Sequence, residues 1–170
     1  CNVGAESPEE YGDYFAWGET SPKSDYASST SVAYGLLISE LESRGIIGSD
    51  GNLSAAYDAA ITNWGGTWRM PTLIETQELL DNCTWVWTSM NGVNGHKVTG
   101  PNGNFIFLPA AGFRHDTSLN SVGANGYYWS ATPCDNSDNA YGIYFYSNSD
   151  YYGSSNYKRN DGRVVRPVSE

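Results

Sequence analysis

Few side chains in this sequence have the type and spacing needed for covalent or metal chemistry. His96 lies in "NGVNGHKVTG" and His115 follows "AAGFR". Neither has a metal-ligand partner at helical or hairpin spacing, so both read as surface or hydrogen-bonded imidazoles. The three cysteines, Cys1, Cys83 and Cys134, make no zinc spacing, and their odd number argues against a disulfide framework. Cys83 follows an apolar helical pattern and reads as a buried free thiol. "SDGN", Ser49 to Asn52, has the oxygens to begin a calcium loop but not the ligands to finish one. Glu75 and Glu78 share a helix, where capping and solvation account for both. "GPNGNF" resembles a phosphate loop only superficially, since no lysine follows and no helix opens. No G-x-S-x-G elbow, Walker loop or dinucleotide fingerprint occurs. The expectation is a protein that is not an enzyme, with no catalytic residue, metal or cofactor.

A different chemistry is concentrated near the end of the chain. Of 13 tyrosines, 8 fall between Tyr127 and Tyr157. The run "YFYSNSDYYGSSNYKR" is built almost wholly from Tyr, Ser, Asn, Asp and Gly. Disordered segments are poor in aromatics, so this composition argues against a floppy tail. Tyrosine offers a large amphipathic contact area at low entropic cost, and Ser, Gly and Asn adapt their hydrogen bonds to a ligand. In "AYGIYFYS" the period of two puts Tyr141, Ile143 and Phe145 on one face of a strand. Tyr144 and Tyr146 then fall on the other, outward face, beside a loop holding Tyr151, Tyr152 and Tyr157.

Earlier elements must hold that surface. "SPEEYGDYFAWGETSP" reads as an irregular segment with a short strand around Tyr14–Trp17, and "YGLLISELES" as a short helix. "SAAYDAAITNWGG" predicts a helix over 54–64, capped by Ser54 and stopped at Gly65–Gly66. "PTLIETQELLDNC" predicts a second over 72–82, with Thr72 and Glu75 forming a capping box and Leu79, Leu80 and Cys83 facing inward. "TWVWT" alternates, with Trp85 and Trp87 on one side. "KVTGPNGNFIFLPA" reads as two strands around a Pro101-Asn102-Gly103 turn. "GYYWSAT", "NAYGIYFYS" and "RVVRPV" read as further strands. Helices early and strands late predict an α+β domain.

The length, 170 residues, suits one domain with a real core. The net charge of −10 is concentrated in residues 1–100, where 13 acids face 4 bases. There is no basic footprint for nucleic acid. The longest aliphatic runs, "GLLI" and "GIIG", are far too short to insert in a membrane.

An ordered set of segments, "CNVGA", "EEYGDYFAWGET", "NWGGTWRMPT", "ELLDNCTW", "VTGPNGNFIFLPAAGFR", "GYYWSATP" and "VRPV", resembles the Fibrobacter succinogenes major paralogous domain, found widely in Bacteroidetes surface proteins. The resemblance runs from Cys1 to Val168. It implies a single α+β domain over 1–170 with a C-type lectin-like fold: two helices and a small twisted antiparallel sheet with long loops. It implies a first strand before residue 1, and so favours Cys1 as an interior residue over a lipidated lipoprotein N-terminus. The C-terminal third also resembles the variable proteins of diversity-generating retroelements. That likeness implies a variable ligand-binding region over 115–163, with His115, Asp116, Asn120, Asn136, Asp138, Tyr144, Tyr146, Asn148, Asp150, Tyr151, Tyr152, Asn156 and Tyr157 as contact positions. Trp68, Arg69, Pro71, Gly112, Arg114, Trp129 and Arg166 would be framework, with Trp68, Trp85 and Trp129 mostly buried.

The sugar-binding triplets of calcium-dependent lectins, Glu-Pro-Asn, Gln-Pro-Asp and Trp-Asn-Asp, are missing from this sequence. What the two resemblances imply is an adhesin-like recognition module, extracellular or at the bacterial cell surface, binding a protein or glycan. The alternatives are a structural domain of a surface or pilus-like assembly, and a relative of the formylglycine-generating enzymes using Cys134.

Overall fold

A computed structural model describes residues 1–147 and 152–169. The chain is α+β, with short helices and several small antiparallel sheets. The first 58 residues are mostly irregular, with one helix, α1 (Ile38–Ser43), and 3-10 turns at Ser28–Thr30 and Ala55–Tyr57. Then come α2 (Ala59–Trp64), the two-residue β1 (Trp68–Arg69) and α3 (Leu73–Asn82). Strands follow: β2 (Thr84–Met90), β3 (Val93–Thr99), β4 (Phe105–Pro109), β5 (Phe113–His115), β6 (Ser118–Asn120), β7 (Asn125–Pro133), β8 (Asn139–Tyr146), β9 (Tyr152–Lys158) and β10 (Val168–Ser169). No helix among the described residues is long and apolar enough to cross a membrane.

α3 begins as its sequence dictates. Thr72 Oγ1 accepts the Glu75 N–H at 3.3 Å, and the Glu75 carboxylate accepts the Thr72 N–H at 2.8 Å. Arg69 clamps the same carboxylate through two bonds of 2.7 Å. α2 departs from expectation, because Ser54 caps no α-helix. The chain makes a 3-10 turn, and the helix starts after Asp58, whose Oδ1 accepts the N–H groups of Ala60 and Ile61. Asp58 Oδ2 also accepts the Met70 N–H at 2.8 Å, which ties the start of α2 to the strand leading into α3. A carboxylate that serves three N–H groups at once outcompetes a serine hydroxyl.

β2, β3 and β4 form one antiparallel sheet, and β7, β8 and β9 another. The second is the centre of the molecule. Its pleat sends Tyr128, Ile143, Phe145 and Tyr152 into one core, with Trp85, Val98, Leu108 and Val164. It sends Trp129, Ala131 and Ala140 into a second core, with Phe15, Trp17, Leu41 and Val165. The stretch "RVVRPV" is not the continuous strand expected. It meets β7 through one bridge, Tyr128 with Val164, and Phe15 through another at Arg163, with Trp129 N–H donating to the Val164 carbonyl, and pairs regularly only as β10 against β1.

Three further expectations are corrected. Trp68 is 39% exposed; it meets Trp64 edge-on at 5.1 Å on the surface. Trp85 and Trp129 are buried as expected. His96 is neither in a loop nor at the surface: it lies in β3, is 1% exposed, and is ringed by Trp85, Trp87 and Phe145. Cys83 is half-buried rather than buried.

Candidate functional site

The face of β8 opposite Ile143 and Phe145 carries Ala140, Gly142, Tyr144 and Tyr146. The register aligns Tyr144 with Tyr127 on β7 and Gly153 on β9, and Tyr146 with Asn125. Near Ala140 this face is core. Towards Tyr146 it emerges at the surface, and Tyr144 and Tyr146 are half-buried. Their rings lie 5.3 Å apart; Tyr146 meets Tyr127 edge-on at 6.3 Å, and Tyr127 meets Tyr157 edge-on at 5.6 Å. Such edge-to-face contacts hold each ring against its neighbour. Asn125 Nδ2 donates to the Tyr127 hydroxyl at 3.1 Å.

The row ends on a buried cation. Arg163 is 3% exposed, and its guanidinium is surrounded by the rings of Phe113, Tyr127, Trp129 and Tyr157, the nearest centroid at 3.9 Å. Nη2 donates to Asp161 Oδ2 at 3.1 Å, while Nε and Nη1 have no hydrogen-bond partner among the described residues. The π faces take the place of those acceptors. Burial pushes the Arg163 pKa down, and the Asp161 charge opposes that shift. Burial also pushes the Tyr157 phenol up, against the pull of Arg163, so it stays neutral. The other Asp161 oxygen, Oδ1, lies 2.8 Å from His115 Nδ1, and His115 Nε2 lies 3.8 Å from Asp116. A continuous chain of contacts therefore links Tyr144, Tyr146, Tyr127, Tyr157, Arg163, Asp161 and His115.

The structure thus joins His115, Tyr144, Tyr146 and Tyr157, with Asp116 at the exposed end. Asn120 borders them, paired with Phe113 across the β5–β6 hairpin. Others fall elsewhere. Tyr152 was expected beside Tyr144 but belongs to the opposite face: it pairs with Phe145 and stacks on Trp85 at 4.8 Å. Asn156 shares that opposite face, its Oδ1 accepting from Asn139 at 2.7 Å. Asn136 and Asp138 lie in the β7–β8 turn. Asn136 Oδ1 accepts two N–H groups there, and Asp138 accepts from Ser137 Oγ. Beneath that turn the buried Arg159 donates to six carbonyls: Ala33, Leu36, Cys134, Asn136, Ser137 and Asn139. Asn148, Asp150 and Tyr151 lie outside the described residues.

Sequence reasoning missed Tyr127, Arg163 and Asp161. Alternation in "NGYYWSAT" was enough to put Tyr127 on the face of Trp129, and the β7–β8 register then sets it across from Tyr144. No comparable signal existed for Arg163, whose ring partners come from three separate strands. Among the described residues no group of three His, Cys, Asp or Glu side chains is arranged to hold a metal. Cys134 is buried, and burial raises its thiol pKa, which disfavours the thiolate a nucleophile needs.

Residues 87–168, just under half of the chain, are similar to a family described as a domain of unknown function (DUF8237). The matched part begins within β2 and contains all of the tyrosine row, Arg163 and Arg159. No curated protein and no solved structure matches the chain.

Proposed function

We propose that the tyrosine face of β7–β9 is a recognition surface, and that the protein is a ligand-binding module on a C-type lectin-like scaffold, used at the bacterial cell surface. The observation that carries this reading is the row itself. Four tyrosine rings lie on one sheet face, ordered by each other and by Arg163, while the opposite face is packed core. Pre-ordered rings lose little entropy when a ligand covers them. The ligand class is a protein or glycan epitope, and diversification of the row by a retroelement is the reading its composition favours. A pilus-like structural role would instead bury this face against another subunit.

Tyr144→Ser, Tyr146→Ser and Gly153→Ala test the reading. A Cβ at Gly153 would meet the Tyr144 hydroxyl at 3.2 Å, so it crowds the row at the movable end of a side chain. Against a ligand found by array screening, each Tyr→Ser change is expected to weaken binding by about 2 kcal/mol. Because the rings are only half-buried, stability is expected to fall by no more than about 1 kcal/mol. Loss of folding without a specific loss of binding would make the tyrosines core and end the proposal. A reverse-transcriptase gene beside a near-copy of the 115–163 coding region, differing at adenines, is the test of diversification.

A further inference from the structure

A pocket of about 210 Å³ opens on the other side of the central sheet, between α3, β4 and the closing segment. Its walls are Leu79, Ile106, Leu108, Tyr128 and Ile143, and its one basic residue is Arg166. Arg166 donates from Nε to Asn2 at 2.9 Å and from Nη2 to the Phe107 carbonyl at 2.7 Å. Both acceptors are neutral. Nη1 makes no hydrogen bond and no carboxylate pairs with this guanidinium among the described residues. The other charged residue on the wall, Glu75, is already spent: Arg69 grips it through two bonds, and Thr72 gives it two more. Burial pushes the Arg166 pKa down, against the pull of the Tyr128 phenol.

We propose that this pocket binds a small monocarboxylate with an apolar body, its carboxylate on Arg166 and its ring or short branched chain against Leu79, Leu108 and Ile143. The volume sets the size, since an apolar protein cavity of about 150 Å³ takes up benzene. The charge sets the class: an arginine with no carboxylate partner, and with Nη1 still to give, suits a carboxylate. This site is on the opposite face of the sheet from the tyrosine row, so it stands or falls independently of the recognition surface.

Phenylacetate and its neutral isostere phenylacetamide are suitable probes, titrated into the 170-residue chain with methyl NMR as the readout. Phenylacetate is expected to shift the methyl resonances of Leu79, Ile106, Leu108 and Ile143, and to bind at least about tenfold more tightly than phenylacetamide. Ile106→Trp, at the half-open rim, is expected to abolish both, and Arg166→Gln to remove the difference between them. If Arg166→Gln fails to fold, the two probes on the wild-type chain and Ile106→Trp decide alone. Equal affinity for both probes overturns the proposal. So do shifts that persist in Ile106→Trp, and so does the absence of any shift at about 10 mM probe, a concentration at which even a site of millimolar Kd is largely filled.

Discussion

Replacing Asp161 with asparagine is the sharpest probe of how the tyrosine row is held. The substitution is nearly isosteric, yet it removes the only carboxylate that meets the Arg163 guanidinium among the described residues, across 3.1 Å. Both side chains are withdrawn from water, at 3% and 9% exposure. Four aromatic rings would be left to stabilise the cation, each by about 2 kcal/mol at a desolvated site. They already make that contribution in the native protein, so they offset none of the loss. Breaking a buried pair by deleting one partner costs about 3–5 kcal/mol. For a chain of this length that corresponds to a fall in Tm of roughly 6–20 °C. The assay is urea unfolding at pH 7, with Arg163→Met and the double variant alongside. Arg163→Met removes the buried charge and leaves Asp161 its contact with His115, so it is expected to cost less than Asp161→Asn. The double variant is expected to be more stable than Asp161→Asn alone, because the orphaned cation is gone. A cost below about 1 kcal/mol for Asp161→Asn, or a double variant no better than the single, would refute the reasoning.

Thr72→Ala should destabilise the fold by about 1 kcal/mol through the lost cap on α3, read as a lower urea midpoint. Trp129→Ala should cost about 3–5 kcal/mol and Trp68→Ala no more than about 1, because only the first empties a core site; equal costs in thermal unfolding would contradict the exposures. Arg69, hydrogen-bonded to Glu75, holds its carboxyl down at about 2, below the ordinary 4.5. A depressed carboxyl stabilises the fold above the ordinary value and loses that effect as pH falls towards 2. Wild type should therefore exceed Glu75→Gln in unfolding midpoint at pH 7, the gap narrowing on acidification and, since the pair is partly exposed, on adding salt.

How far the sequence speaks for the structure depends on how local the physics is. The Thr72/Glu75 box spans four residues and was legible; so was the alternation in β8, since Ile143 and Phe145 against Tyr144 and Tyr146 is a pattern within one strand. Asp58 was not, because its third N–H comes from Met70, and nothing within "SAAYDAAIT" marks it above Ser54. Tyr152 was misplaced for a related reason. "YGSSNYK" is weak strand sequence, and its pairing with β8 alone makes it β9 and sets which face Tyr152 takes. Arg163 was the least legible of all: a cage assembled from positions 113, 127, 129 and 157 leaves no motif. Trp68 shows the converse, a residue that family resemblance assigns to the framework and that the two-residue pairing of β1 with β10 leaves at the surface.

Arg159 has a consequence for what the protein can become. Its six bonds all end on main-chain carbonyls, which every residue type carries, so the path of the β7–β8 turn and of residues 33–36 is written in one side chain outside both. Among the turn's own side chains, Asp138 favours that anchor through its charge and Asn136 adds two bonds to the turn. The contour of the loop is otherwise uncoupled from much of its spelling: exposed positions such as Asp135 can be exchanged while the backbone keeps its course. A lineage carrying this arginine inherits a loop open to rewriting, and it would lose that freedom through a single codon far along the chain.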